Sequence, residues 1–530
     1  MYRNLFSVGA LTLLSRVTGF LRDVMLGAIL GAGALADSFY IAFRLPNHFR
    51  AIFGEGAFNS AFIPVVARVQ ETQGLSRAKL FSGQILSLLL MSQVLLLALA
   101  WLFTAELVAL LAPGLAQDAS QLSDAVMMTR ITFPYLLFVT LVTLFSGVLN
   151  ANGKFAAAAF APVLLNVVMV AFLAVAFLFP NAGVAASFGI LTAGVLELVL
   201  LIVAAKAAGV FAGLARPRWT ADVKQFFKAL GPAVIGSAGV QIALFADTII
   251  GSLLPTGGIS SIYYADRIYQ LPIGVIGIAA GTVLLPEMSR RLANGDAAGA
   301  FQAQNRTMAL TIALSAPFFI AFTIIPELIM QGVFQRGNFT PEAAAASAGV
   351  LRAYAFGLFA IVLIRSAIAS FQSQGDTRTP MMISLTAVAF NVALKIVLFQ
   401  PLGAAGLATA TAVGAWINFT LLVVLAMRSG AMQPDSMLVR VMGATGLASA
   451  CLAVVAMFGV GLAWQAAAPF GGFRTEAQLA LLGLAGALVY GVALFVFLRA
   501  FGVRPGRLKP LPRRADAPAS PPPPPPATPE

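Results

Sequence analysis

The sequence predicts an all-α, polytopic membrane protein of about fourteen transmembrane helices, in two pseudo-symmetric six-helix lobes followed by two extra helices. Three observations carry this. Of 530 residues, 59% are hydrophobic and only 10% charged, where a soluble chain carries about a quarter charged residues. Apolar runs near the bilayer-spanning length of about 20 residues recur along nearly the whole chain. The runs are continuous rather than alternating, which argues against a β-barrel.

The first run, Asn4-LFSVGALTLLSRVTGFLRDVMLGAIL, has Arg16, Arg22 and Asp23 in its middle and no small-residue cleavage site. It is expected to stay as a membrane helix rather than be removed as a signal peptide. Helices are expected at roughly 5–31, 34–53, 80–112, 124–151, 157–179, 183–208 and 222–254. The remaining seven are expected at 260–288, 305–331, 344–372, 379–400, 403–428, 437–464 and 476–500. Pro46 interrupts the helix 34–53, and Gly54 and Gly56 just after it argue for a broken helix there. Connections after even-numbered helices are basic: Arg68, Arg77 and Lys79; Lys154; Lys206, Arg216 and Arg218; Arg290 and Arg291; Arg378; Arg428 and Arg440. Connections after odd-numbered helices are short or poor in Lys and Arg, Arg336 and Arg474 excepted. The positive-inside rule then places both termini in the cytoplasm and accounts for much of the net charge of +13 without nucleic acid. The lone Cys451 lies in an apolar run, so it reads as core or lipid-facing filler.

The chain repeats itself at an offset of about 222 residues. Pro180-NAGVAASFGILTAGVLELVLLI aligns with Pro401-LGAAGLATATAVGAWINFTLLVV, and Arg130-ITFPYLLF with Arg352-AYAFGLFA. Both of the latter precede a polar hairpin, Asn150-ANGKF and Gln372-SQGDTRTP. The expected organisation is a six-helix lobe over 1–215, a second over 216–430, extra helices over 431–502 and a disordered Pro-rich cytoplasmic tail over 503–530. Parallel repeats of this kind hold substrate between the lobes near the membrane midplane.

Charges inside these apolar runs carry the functional signal. An Arg at the bilayer centre costs about 2.5–3.5 kcal/mol on insertion scales, so it faces a polar cavity or an acidic partner. Ser15, Gly19 and Arg22 share one stripe of the first helix, and Arg16 and Asp23 a neighbouring one. Asp37 and Arg44 lie two turns apart on the second helix, and Arg50 and Glu55 follow. These charges read either as self-pairing (Arg16 with Asp23, Asp37 with Arg44) or as the lining of an anion site. Four arginines facing three acids leave a cation to spare. Arg267 reads as a further cavity cation or as the partner of Asp266; Arg365 and Lys395 extend the basic lining or reach an interface. Asp247 reads equally as a cation or proton site and as a hydrogen-bonded buried acid. Arginine suits phosphate because its guanidinium stays protonated and donates forked hydrogen bonds. A multiply charged anion such as a pyrophosphate is the expected ligand. His48 beside Pro46 reads as interfacial. No zinc cluster, Walker A or GxSxG motif is present, so no enzyme is expected.

Ser15-RVTGFLRD, Ala36-DSFYIAFRLPNHFRAIFGEGAFNSAFIP, Ile131-TFPY, Ala161-PVLLN and Tyr263-YADRIYQLP with Gly281-TVLLPEMS resemble the MurJ (MviN) family of lipid II flippases. That family lies within the multidrug/oligosaccharidyl-lipid/polysaccharide exporter superfamily, and the resemblance runs to about residue 500. It implies export of lipid II, the undecaprenyl-pyrophosphate-linked disaccharide pentapeptide, across the bacterial cytoplasmic (inner) membrane for cell-wall synthesis. By motif, Arg16, Arg22, Arg50 and Arg267 resemble the family's cavity arginines. Ser15, Asp37, Glu55 and Ser261 match its important polar positions, with Asp23 and Asp266 as a supporting charge pair. Gln270 stands where some members have Glu. The resemblance implies no cofactor or nucleic acid and leaves coupling to the membrane potential, Na+ or H+ open. The resemblance leaves any metal open. A monomer is expected, in contact with membrane lipid and with cell-wall synthesis machinery as a partner. A cation-coupled drug antiporter or a polysaccharide-lipid flippase is the alternative.

Overall fold

The computed structural model describes residues 2–53 and 57–503, apart from the side chains of 2–7, 45, 48–53, 57, 235–240, 242 and 278–279. Among these residues the chain is helical throughout and forms no strand. The helices of the first half are α1 (Tyr2–Leu30), α2 (Ala34–Phe53), α3 (Ala57–Gln73), α4 (Leu75–Leu102), α5 (Thr104–Leu111), α6 (Ala119–Thr132), α7 (Pro134–Ala151), α8 (Ala156–Ala174) and α9 (Ala182–Ala207). The second half holds α10 (Ala221–Ser252), α11 (Gly258–Pro272), α12 (Ile278–Ala293), α13 (Ala297–Ile324), α14 (Pro326–Phe334), α15 (Pro341–Ala355), α16 (Leu358–Gln372), α17 (Arg378–Arg428), α18 (Ser436–Ala466) and α19 (Arg474–Ala500).

Ten helical stretches among the described residues are long and apolar enough to cross a membrane. The expected helices 5–31, 34–53 and 222–254 form as α1, α2 and α10 but fall outside those ten. One stretch, α17, would be about 76 Å long if straight, well over twice the hydrocarbon core. It breaks at Gly403, whose φ of 54° and ψ of −135° end one helix after Pro401 and start the next. Other expected spans are bent. The run 124–151 divides at Phe133 because Pro134 has no N–H to continue the ladder. The run 260–288 divides at a π turn, Ile273–Gly277, that follows Pro272. Breaks recur at corresponding places in the two halves: Phe103 and Ile325, Phe133 and Phe356, and the left-handed Gly153 and Gly375. Residues 57–73, outside the fourteen expected helices, form α3 despite Pro64.

Two packed regions organise the bundle. Near the α2–α3 end, Phe58, Phe62 and Phe81 pack with Phe226 from α10. Asp222, also in the first turn of α10, receives Arg68 at 2.9 Å and Arg77 at 4.0 Å. The start of α10 therefore sits against the first half, while its far end reaches α17 through the Asp247–Lys395 ion pair. Helices α18 and α19 pair with each other and lie on α13 and α14.

At the opposite end, the α1–α2 turn is clamped by the second half. Asn338 donates from its backbone N to Ala28 O (2.8 Å) and from Nδ2 to Ile29 O (2.7 Å), and Tyr264 OH donates to Gly31 O at 3.0 Å. Gly257 makes this approach possible. It adopts φ +88°, and a Cβ there would lie 2.7 Å from Ala32 O. Gly257→Ala adds left-handed strain of about 1–2 kcal/mol plus that collision. The detergent-solubilised variant should melt several degrees below the parent; an unchanged melting curve would show that this clamp contributes little.

Candidate functional site

The stripe Ser15, Gly19, Arg22 faces α8. Gly19 leaves room for the Asn166 amide, which would meet a Cβ there at 3.2 Å. Asn166 Nδ2 donates to Ser15 O at 3.0 Å, and Asn166 Oδ1 accepts from Arg22 Nη1 at 2.8 Å. Arg22 is thus held on one side by a neutral amide. On its other side Nε and Nη2 donate to Asp23 Oδ1 at 3.0 and 2.7 Å.

Asp23 is also where the two halves meet. Tyr263 OH donates to its Oδ1 at 2.9 Å, and Arg267 Nε lies 3.5 Å from its Oδ2 without hydrogen-bond alignment. Both residues come from α11, whose helical pitch puts Tyr263 and Arg267 one turn apart on the same face. The Arg267 guanidinium rests 4.5 Å above the Tyr263 ring, a cation–π contact, and Tyr263 stacks at 3.9 Å on Tyr40 of α2. Arg22 and Asp23 are buried, whereas a third of the Arg267 side chain stays open. Two guanidinium groups share the Asp23 carboxylate, and Arg267 keeps unused donors.

Several sequence expectations resolve differently. Arg16 does not pair with Asp23. Seven residues separate them by about 10 Å along the axis, and Arg22 and Tyr263 reach the carboxylate first; Arg16 Nη2 meets Gly274 O at 3.4 Å instead. Asp37 does not pair with Arg44. It caps the start of α11, accepting from Gly257 N at 2.6 Å and from Ser260 N and Oγ at 2.8 Å each. Ser260 makes this contact and Ser261 is buried beside it. Arg44 is half-buried. Asp266 accepts from Gln270, one turn on, so Arg267 takes Asp23 as its acid. Asp247 pairs with the buried ammonium of Lys395, so the carboxylate already has a resident cation. Arg365 lies exposed on α16 over Gly281. The side chains of Arg50 and His48, and all of Glu55, lie outside the described residues. Among the described residues no group of three or more His, Cys, Asp or Glu is placed to hold a metal.

Asn166, Tyr40, Tyr263 and Ser260 were not singled out from sequence. Asn166 closes the Ala161-PVLLN segment, where a lone amide in an apolar helix was the available signal.

Asp23→Ala would leave two guanidinium groups facing each other without a counter-charge, a loss of about 3–5 kcal/mol for a broken buried pair. Adding Arg267→Ala should recover part of that loss. Thermal unfolding of both variants checks this; a double variant less stable than Asp23→Ala would contradict the shared-carboxylate arrangement.

A family profile described as "Lipid II flippase MurJ" matches residues 26–513. A Rhizobium meliloti protein named "Probable lipid II flippase MurJ" is 41% identical over 428 residues, 80% of each chain. A solved structure titled "Lipid II flippase MurJ, inward closed conformation" superposes with TM-score 0.77 at 22% identity, covering 93% of this chain and 99% of that one. An inward-facing multidrug resistance MATE family transporter of the MOP superfamily gives TM-score 0.65 at 14% identity, over 78% and 94%. With the family profile spanning nearly the whole chain, and a relative this similar over four-fifths of it, the chain belongs to the lipid II flippase MurJ family.

Proposed function

We propose that the protein moves lipid II from the inner to the outer leaflet by alternating access, with the diphosphate carried between Arg22 and Arg267. It is a multi-pass protein of the bacterial inner membrane and a transporter rather than an enzyme. The observation that carries the reading is the shared Asp23, on which guanidinium groups from α1 and α11 converge. A diphosphate offers more charged oxygens than one carboxylate. It therefore competes for both cations, whose forked donors match phosphate geometry.

In this reading residues 1–215 and 216–430 act as two lobes that rock about the Asp23 cluster. The basic loops assign the α1–α2 turn to the outside. The closed end formed by Asp37, Asn338 and Tyr264 is then the outer gate. Outward opening requires Asp37 to leave the start of α11. The undecaprenyl tail stays in lipid along α18 and α19, where an apolar groove of about 300 Å³ runs between α13 and these helices, lined by Phe318, Leu452, Leu482 and Gly486. Coupling is read as electrical. Lys395 already satisfies Asp247, and an anionic head moving outward gains about 2.3 kcal/mol per charge per 100 mV. The protein acts as a monomer, with contacts to cell-wall synthesis enzymes as a further expectation.

Arg22→Gln and Arg267→Gln should each lower lipid II export at least tenfold, on the order of the loss from one broken charge pair, at unchanged membrane levels. Accessibility of labelled lipid II in proteoliposomes with an imposed potential is the measurement. Wild-type rates in either variant would reject the carrier role of that arginine.

A further inference from the structure

The short helices α5 and α14 are counterparts, each following a break, at Phe103 and at Ile325. Both run up to the opposite half. Beyond α5, Gly114 N donates to Ser252 Oγ at the end of α10, at 3.1 Å. Beyond α14, Asn338 donates from N and Nδ2 to the Ala28 and Ile29 carbonyls near the end of α1. The flanks differ. Helix α5 packs on α4, α6 and α10, whereas α14 also carries α19 of the extra hairpin. One of two equivalent contacts between the halves is thus gripped by a helix outside the duplication.

Two contacts fasten α19 to α14. Gly332 faces α19 so closely that a Cβ there would lie 2.9 Å from Leu479 Cδ2. Four residues on, Arg336 Nη2 pairs with Glu476 Oε1 at 3.0 Å and donates to Gly332 O at 2.9 Å. Gly337 alone separates Arg336 from Asn338. It adopts φ +55°, and a Cβ there would collide with Ala28 O, so the loop lies pressed onto α1. The apolar groove lies beside the same pieces. Ile325, where α13 gives way to α14, lines it, and so do Leu482 and Gly486, on α19 just beyond Leu479. Pro326 has no N–H to continue the α13 ladder, so α13 and α14 can turn on each other at Ile325.

We infer that α14 is a lever through which the lipid tail releases the outer gate. A long polyprenyl chain entering the groove parts the α18–α19 hairpin from α13. Helix α14, hinged at Ile325 and fastened to α19 through Gly332 and Arg336, turns with the hairpin and lifts Asn338 off α1. This rests on the reading of the protein as a carrier of polyprenyl-linked diphosphate. The required movement is small. A nine-residue helix is about 13 Å long, so a tilt of about 5° moves its tip by about 1 Å. That carries hydrogen bonds of 2.7 and 2.8 Å out of bonding range. The groove and the gate are coupled because both bias one element, the α14–loop unit. Arg336 and Glu476 are positioning residues in this arrangement, and they make the gate respond to chain length: a diphosphate on a short chain reaches the arginines while the groove stays unfilled and the gate stays shut.

The test uses the full chain in nanodiscs, with Cys451→Ala and spin labels at positions 33 and 335. A Cβ at Gly33 meets open space and Gln335 is exposed, so both sites accept a label. Undecaprenyl diphosphate should lengthen the label separation, and geranyl diphosphate should not. Glu476→Gln, isosteric and at a part-exposed site, should bind undecaprenyl diphosphate at least as tightly yet leave the separation unchanged. Coupling is reciprocal, so loosening the gate must favour the tail: Asn338→Ala should tighten undecaprenyl diphosphate binding about fivefold or more. That gain should vanish when Glu476→Gln is added. An equal response to the short chain, no response to the long one, a response that survives Glu476→Gln, or an Asn338→Ala gain that is absent or independent of Glu476 would each overturn the lever. Failure of the unaltered protein to bind undecaprenyl diphosphate at all would instead refute the carrier reading.

Discussion

One carboxylate shared by two arginines from opposite halves of the chain is the interaction on which the rest depends. Neither guanidinium has Asp23 to itself, while the halves stay joined through it. Coulombic attraction at this range is worth about 4 kcal/mol at the effective dielectric of a protein margin. That is enough to tie the two halves of the chain together at this point. Tyr263 and Tyr40 stiffen the cluster by stacking, and Asn166 fixes Arg22 without adding charge.

The two ends of the molecule are built differently around that centre. At the α1–α2 turn the halves meet through directional bonds: Asp37 on the α11 backbone, Asn338 on the α1 carbonyls, Gly257 close against Ala32. At the other end the contact is the start of α10, which sits in the aromatic core of the first half with Asp222 receiving Arg68. The Asp222 and Asp247 ion pairs tie α10 to the first half near its start and to α17 near its end, where Ser252 also accepts from Gly114 N at 3.1 Å.

The all-helical membrane class was legible from composition and run length because bilayer thickness imposes both. The breaks at Phe133 and Phe356 were not legible: 124–151 and 344–372 read as single helices, because apolar run length does not register a local kink. Pairing was less legible. A heptad spacing offered Arg16 with Asp23 and Asp37 with Arg44 as pairs beside the cavity reading, but Asp23 meets Arg22 and Tyr263, Arg16 meets Gly274 O and Asp37 caps α11, contacts set by packing rather than by spacing. Asp37 illustrates this: a carboxylate in a membrane helix invites a cation, whereas the start of a helix from the other half satisfied it with three hydrogen bonds. Lys395, read as basic lining or as reaching an interface, serves instead as the internal partner of Asp247.

The most direct measurement is a structure of the protein with undecaprenyl diphosphate bound. The account predicts diphosphate oxygens within hydrogen-bond distance of both the Arg22 and Arg267 guanidinium groups, with Asp23 no longer bridging them. A bound diphosphate located elsewhere, with the Asp23 bridge intact, would contradict it.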